Sequence, residues 1–403
     1  MVVNFTKEGS VTDVQGFEAG ATYAGMKTYA KDKYDLGIIW SNLPCVSAGV
    51  FTTNKVISPS TSVSRDNVLK GNVQAVTVNS GIANAGVGNA GKLDAQEVIE
   101  LTANKLNIKY ENVAFLSTGI IGVELPMALI RTALEKIEFQ PNSGQLYAKA
   151  MMTTDTKPKE CSVTVSTNGR EFTIGGVCKG TGMIHPNMAT MLAVVTTDAP
   201  IDQKLLQDIV KQTADESFNM ISVDGDMSTN DSYIILSNGA AGGEIITYES
   251  PEHEDIQNSI KEVVQYLAKE MVRDGEGATK LFQVTIENAN NIEEARDAAR
   301  TISSSSLVKT AVHGNDPNWG RLLASLGSSK AEVDESKLSV YINDICILED
   351  GLPIPFFKDA IIQQMVDSEI TFRINLNLGK SSASAWGCNL SEEYVHFNSA
   401  YTT

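Results

Sequence analysis

A mixed α/β (α+β) layered sandwich is the fold class that this 403-residue sequence predicts. Three observations predict it. Short apolar, β-branched runs alternate with segments of helical spacing along the whole chain. Hairpin signals interrupt that alternation, most plainly Asn168-Gly169 between two strand-like runs. No βαβ period is sustained, which argues against a doubly wound parallel sheet.

The elements follow in order. Residues 36–40 and 47–53 read as strands around the Pro44 turn, and 73–79 as a third that runs into a Gly/Asn-rich loop, 80–91. Asp94 is placed to cap the next helix, with Val98 and Leu101 on its apolar face. A short strand, 113–116, leads into Ser117-Thr118-Gly119. Pro126 then opens a helix over 128–137, a position Pro tolerates. A second helix covers 145–152, and residues 162–166 and 172–177 pair as a hairpin.

From residue 190 onward the pattern is strand 191–196, helix 203–218, polar loop 224–231 and strand 233–236. A long amphipathic helix over 254–272 repeats Val263, Leu267 and Met271 at helical spacing. Strand 282–286, helix 292–303, loop 313–321 and strands 338–342, 345–348 and 370–376 complete the order. The polar tail, 398–403, has the composition of a frayed end. The loop 224–231 has alternating acids and a Gly, but it lacks the closing Glu of a calcium loop and reads as a capping or turn loop.

Composition narrows the function. A hydrophobic content of 42% with 20% charged residues is ordinary for a soluble globular protein. No apolar run reaches the length of a membrane span, and the N-terminus lacks a secretory signal, so a cytoplasmic protein is expected. Five Cys without a C-x-x-C pair point to reduced thiols rather than to disulfides or zinc. The four His share no ligand spacing, so no metal is expected.

The formal net charge of −17 is unevenly placed. Through Ala189 there are 17 Lys+Arg against 16 Asp+Glu (+1); from Thr190 there are 15 against 33 (−18). Such acidity repels phosphate backbones and anionic lipid, which disfavours nucleic acid and membrane as partners and leaves small molecules.

The stretch Lys179-Gly180-Thr181-Gly182-Met183-Ile184-His185-Pro186-Asn187-Met188-Ala189-Thr190-Met191-Leu192 carries the most specific chemistry. A Gly-rich, Pro-containing turn delivers a small residue and a Thr to the start of a strand. Self-cleavage needs such a bent, uncrowded backbone, because the Thr hydroxyl must reach its own preceding carbonyl. A freed Thr190 would own a hydroxyl nucleophile and an α-amine to act as its base. Ser117-Thr118-Gly119 at a strand end could aim donors at an oxyanion, or could simply turn the chain. Gly86-Val87-Gly88-Asn89-Ala90-Gly91 matches G-x-G-x-x-G, but it stands too far from its strand to present amides to a pyrophosphate, and a plain loop is the simpler reading.

The 179–192 run closely resembles the self-cleavage region of the arginine-biosynthesis ornithine acetyltransferases, also called glutamate N-acetyltransferases (the ArgJ family). The resemblance spans essentially the full chain. It includes Asn79-Ser80-Gly81-Ile82-Ala83-Asn84-Ala85, Ser117-Thr118-Gly119, Met152-Thr153-Thr154-Asp155-Thr156, Asp274-Gly275-Glu276-Gly277-Ala278 and Asp316-Pro317-Asn318-Trp319-Gly320-Arg321.

The resemblance implies an N-terminal-nucleophile-like sandwich split between Ala189 and Thr190. An N-terminal segment (1–189) and a C-terminal segment (190–403) would stay together, two copies of each. It implies that Thr190 takes the acetyl group of N-acetylornithine as an ester and passes it to glutamate. Thr118 and Gly119 would supply the oxyanion donors. Thr153, Lys179, Glu276, Asn398 and Thr403 would hold substrate beside Thr190, with Thr154 an adjacent alternative for the first; the tail would then be docked rather than frayed. No cofactor is implied. Acetyl-CoA is a possible second acetyl donor, although no basic cluster announces a site for its phosphates. The nearest alternative is an aminopeptidase or amidase that gives its acyl group to water.

Overall fold

The computed structural model describes residues 1–27, 33–185 and 191–400. The predicted cleavage pair Ala189 and Thr190, and Thr403, lie outside the described residues. In the first segment the strands are β1 (Val2–Thr6), β2 (Phe17–Thr22), β3 (Leu36–Ser41), β4 (Val46–Phe51), β5 (Ala75–Ile82), β6 (Val113–Ile120), β7 (Lys159–Thr167) and β8 (Arg170–Lys179). Its helices are α1 (Pro59–Val68), α2 (Gly88–Leu106), α3 (Met127–Lys136) and α4 (Gly144–Met151).

The second segment carries β9 (Leu192–Thr197), β10 (Ile221–Ser222), β11 (Ser232–Ser237), β12 (Leu281–Ala289), β13 (Ser339–Ile342), β14 (Ile345–Glu349), β15 (Leu352–Pro353), β16 (Glu369–Asn375) and β17 (Ser381–Cys388). Its helices are α5 (Gln203–Asp215), α6 (His253–Arg273), α7 (Ile292–Ser304), α8 (Ser306–His313), α9 (Trp319–Leu326), α10 (Lys358–Met365) and α11 (Glu392–Ala400).

Three sheets form the frame. The central one runs β1-β7-β8-β9-β11-β4, so strands from both sides of residue 190 share one sheet. There β9 pairs antiparallel with β8 and parallel with β11, while β11 pairs antiparallel with β4. Alternation along β9 explains its central place. Leu192 and Val194 face a core shared with β3, β5, β6 and α4, whereas Ala193 and Val195 face the core built by α5, α6, β12 and α7.

The second sheet, β2-β3-β5-β6, buries its other face under α2 and α3. The third, β10-β17-β12-β16-β13-β14-β15, is packed by α7. The layers therefore run helix, sheet, sheet, helix, with the third sheet joined through the α6 side. This is the mixed sandwich expected.

Two elements depart from the sequence expectation for physical reasons. Helix α1 buries Ser60, Thr61, Ser64 and Asn67, not an apolar stripe. Ser64 Oγ donates to the Phe115 carbonyl at 2.7 Å, and Asn67 Nδ2 donates to Val113 O at 2.9 Å. Its packing face is small and polar, so hydrophobic periodicity does not reveal it. Helix α2 starts at Gly88, six residues before the expected Asp94 cap. Asn84 reaches across the preceding loop, its Nδ2 donating to Gly91 O and Ser60 Oγ at 2.8 Å each.

Candidate active site

The site is assembled where the central and second sheets end together. At the end of β8, Lys179 lies opposite Leu192 of β9. The chain turns away from β8 directly after Lys179. Gly180 makes the turn at φ +149°, where an added Cβ would stand 2.7 Å from Met271 Cε. Asp224 then receives the Met183 and Ile184 amides at 2.6 and 2.9 Å. The loop 224–231 is a turn loop, as read, and it also lines the cavity described below.

From the second sheet, β6 carries Thr118 and Gly119. Gly119 is paired with Gly81 of β5 and has φ +131°. A Cβ there would sit 2.2 Å from the Gly81 carbonyl carbon, so the close backbone approach requires glycine. Ser117 Oγ donates to Asn79 Oδ1 at 2.6 Å, and Asn230 Nδ2 donates to Ser117 O at 2.8 Å, which fixes this strand end from both sides. Lys179 Nζ donates to Thr118 Oγ1 at 3.3 Å. That bond ties the site's buried cation to the expected oxyanion position.

A third contribution comes from the loop after α6. Glu276 accepts from Thr154 Oγ1 at 2.8 Å through one oxygen and from Asn398 Nδ2 at 2.9 Å through the other. Its backbone N–H donates to Thr181 O at 2.9 Å. Gly182 leaves room for this carboxylate, because a Cβ would stand 2.5 Å from it. Asn398 is in α11, so the tail through residue 400 is helical and seated on the site rather than frayed. Thr153 lines the cavity too, but of the two threonines it is Thr154 whose hydroxyl holds Glu276.

Together Thr118, Gly119, Thr153, Thr154, Lys179, Glu276 and Asn398 line one cavity of about 400 Å³. Met191, the residue after Thr190, lines it as well. All six described residues of the expected site are thus brought to one place.

The electrostatics are set by burial. Burial lowers the proton affinity of the Lys179 ammonium, and Asp155 opposes that loss. Burial alone would raise the Asp155 carboxyl, but Lys159 and Lys179 outweigh it and hold the group well below the usual carboxylate range. Lys159 bridges Asp155 and Asp274 at 2.6 and 2.5 Å, with all three side chains almost fully buried. His185 is pushed down to about 4, by burial first and the Arg300 guanidinium second. Its Nδ1 lies 3.1 Å from Ser222 Oγ and its Nε2 3.3 Å from Arg300.

The Asp155–Lys159–Asp274 cluster was missed in the sequence. Lys159 stands between Lys157 and Glu160, so nothing local marks it as buried, and although Asp155 is four residues away, Asp274 is distant in the chain.

Comparison with known proteins bears on this arrangement. A family model described as "ArgJ family" matches residues 18–403. A protein of Dehalococcoides mccartyi named arginine biosynthesis bifunctional protein ArgJ is 45% identical over 401 residues, covering 100% of this chain and 99% of that one. One of the same name from Symbiobacterium thermophilum is 43% identical over 399 residues, covering 98% and 99%. Among solved structures, the argJ bifunctional protein of Bacillus halodurans is 37% identical with a TM-score of 0.50. The match covers 51% of this chain and 97% of that one.

Proposed function

The chain belongs to the ArgJ family of arginine-biosynthesis acetyltransferases, and from that premise we propose that it moves the acetyl group of N-acetylornithine to glutamate through an ester on Thr190. The observation that carries this reading is the convergence of Lys179, Thr118, Gly119 and Glu276 on the cavity that Met191 borders. A cation, an anion and two oxyanion donors around the position next to Thr190 match the needs of that substrate.

N-acetylornithine carries one carboxylate and one ammonium. Lys179 and Glu276 hold these two ends by charge-assisted hydrogen bonds, with Thr153 and Asn398 beside them. Fixed at both ends, the acetyl carbonyl is presented to the nucleophile without further loss of freedom. The Thr190 hydroxyl adds to it as its proton passes to the α-amine. The oxygen that becomes negative is met by the Gly119 N–H and by Thr118. The C–N bond then breaks, the departing nitrogen takes the proton, and ornithine leaves. Glutamate's amine attacks the ester along the same path in reverse, which regenerates Thr190.

The nucleophile is made by cleavage between Ala189 and Thr190, in this reading, and Thr403 completes the substrate contacts. The interleaving of β8, β9, β11 and β4 supports two fragments, 1–189 and 190–403, that remain together after cleavage. Support for a divided chain comes also from the Bacillus halodurans match, in which half of this chain accounts for nearly all of that one. Two copies of each fragment form the assembly. Relatives named bifunctional support acetyl-CoA as a second donor for glutamate, although no basic cluster in the sequence marks where it binds. The enzyme needs no resident cofactor and works in the cytoplasm. Among the described residues no helix is long and apolar enough to cross a membrane.

The test is a three-way assay of acetyl transfer to glutamate from N-acetylornithine, from acetyl-CoA, and to water alone. Transfer from N-acetylornithine that exceeds hydrolysis is expected. Hydrolysis without transfer to glutamate would make it an amidase instead.

A further inference from the structure

The order β2-β3-β5-β6 makes β6 the edge of its sheet among the described residues. An edge strand leaves a row of N–H and C=O groups without a neighbouring strand, and where that edge is buried each group needs another partner. Along β6, side chains supply them. The Val113 carbonyl accepts from Asn67 Nδ2 at 2.9 Å. Ser64 Oγ serves both the N–H and the carbonyl of Phe115, each at 2.7 Å. The Ser117 carbonyl accepts from Asn230 Nδ2 at 2.8 Å.

Residues 113, 115 and 117 alternate, so their main-chain groups share one side of the strand, and Gly119 is next in that row. Ile120 turns its carbonyl to the β5 side, where it accepts the Ala83 N–H at 2.9 Å, in keeping with the alternation. Gly119 lines the cavity. The side-chain partners therefore stop one step short of the site, and the last of them is Asn230. Ser64 and Asn67 stand on α1, in the first segment, whereas Asn230 belongs to the second.

Asn230 is itself held on every side. Its Nδ2 donates a second bond to Ala83 O at 2.6 Å, and its Oδ1 accepts from Thr229 Oγ1 at 2.6 Å. Its carbonyl accepts from Thr61 Oγ1 of α1 at 3.1 Å. The residue is 5% exposed and forms part of the cavity wall. One amide thus joins the chain leaving β5 to the end of β6. The Ser117 carbonyl and the Thr118 N–H lie in one rigid peptide plane, so the bond from Asn230 sets the tilt at which the chain enters Thr118-Gly119.

We propose that Asn230 is a positioning residue of this reaction, one that holds the edge of β6 so that Thr118 and the Gly119 N–H meet the oxygen that becomes negative. This rests on the oxyanion reading given above. Such donors act only within hydrogen-bond reach of the position that oxygen takes in the transition state, so their aim bears on the chemical step rather than on substrate binding. The donors belong to the first segment and the residue that aims them to the second. The oxyanion site is therefore complete only when both segments are in place.

The experiment compares kcat, KM and Tm for acetyl transfer by the full chain, by Asn230→Ala and by Ser64→Ala. Both substitutions strip a buried partner from the same strand edge, so both should lower Tm. Ser64→Ala should leave kcat near the wild-type value. In Asn230→Ala kcat is expected to fall by about 10²-fold with KM little changed, as a misaimed catalytic group would produce. A normal kcat in Asn230→Ala, or an equal fall in the two variants, would show a merely structural role and overturn the proposal. If Asn230→Ala fails to fold or to cleave, Thr229→Val takes its place. It removes the hydroxyl that holds the amide oxygen, so a smaller fall in kcat at constant KM is expected, and an unchanged kcat again overturns the proposal. Should Thr118→Val leave kcat intact, the oxyanion reading itself fails, and this inference with it.

Discussion

Asp155 Oδ1 accepts the Gly180 amide at 2.9 Å and, on the same oxygen, the Lys159 ammonium at 2.6 Å. A buried ion pair thus sits directly beneath the turn that carries Lys179. Stability and activity are joined at this point, because the buried cluster also holds the backbone amide next to Lys179.

Removing the cation should expose that link. Lys159→Met leaves the Asp155 and Asp274 carboxylates buried without their partner, which costs about 3–5 kcal/mol. Thermal unfolding should show a large drop in Tm at neutral pH. Asp155 has a depressed native pKa, so its contribution is complete above about pH 4 and is lost as the pH falls through the native value. The gap between wild type and Lys159→Met should therefore be wide at pH 7 and narrow progressively in acid. A gap independent of pH would contradict the assignment of the cluster as the cause.

The oxyanion assignment separates geometry from chemistry. Gly119→Ala meets both the positive φ and the Gly81 backbone, so it should disrupt the strand end and lower Tm. Thr118→Val keeps shape and should leave Tm nearly unchanged while kcat falls by about 10²–10³. Steady-state rates beside melting curves check both.

Substrate holding rests on Glu276 being oriented. Thr154→Val and Asn398→Ala each remove one donor to that carboxylate. A hydrogen bond to a charged group contributes about 1.5–3 kcal/mol, so KM for N-acetylornithine should rise at least about tenfold in either variant. If KM stays level while kcat falls, Glu276 acts in the chemical step rather than in binding.

His185 predicts an acid sensitivity of its own. Its native pKa of about 4 lies below the unfolded value near 6.5, so the unfolded chain binds its proton first as pH falls. Stability from this group is therefore present above about pH 6.5 and lost as the pH falls toward 4. His185→Gln should flatten the Tm profile over that window, measured against wild type.

Much of the site was legible before the structure because its chemistry lies in contiguous runs. Lys179, Thr118-Gly119 and Glu276 stand in Gly-flanked motifs whose glycines proved to be required by close approach, as Gly119 against Gly81 and Gly182 against Glu276 show. The long apolar strands and α6 were legible from their period. What could not be read was long-range pairing of buried polar groups. Lys159 finds Asp274 only because α6 packs over β7, and Ser232 meets Met191 only through the parallel pairing of β11 with β9. Helix α1 escaped for the related reason that it packs through hydroxyls and an amide. Thr153 and Thr154 are chain neighbours, and only the direction of each side chain assigns Glu276 to the second.

The central claim is that Thr190 becomes a new N-terminus and carries the acetyl group. Mass spectrometry of the purified protein, incubated with N-acetylornithine and no acceptor, tests it most directly. The account predicts two fragments, with the one that begins at Thr190 heavier by a single acetyl group until glutamate is added. An intact chain in an active preparation, or an acetyl group confined to another residue, would contradict it.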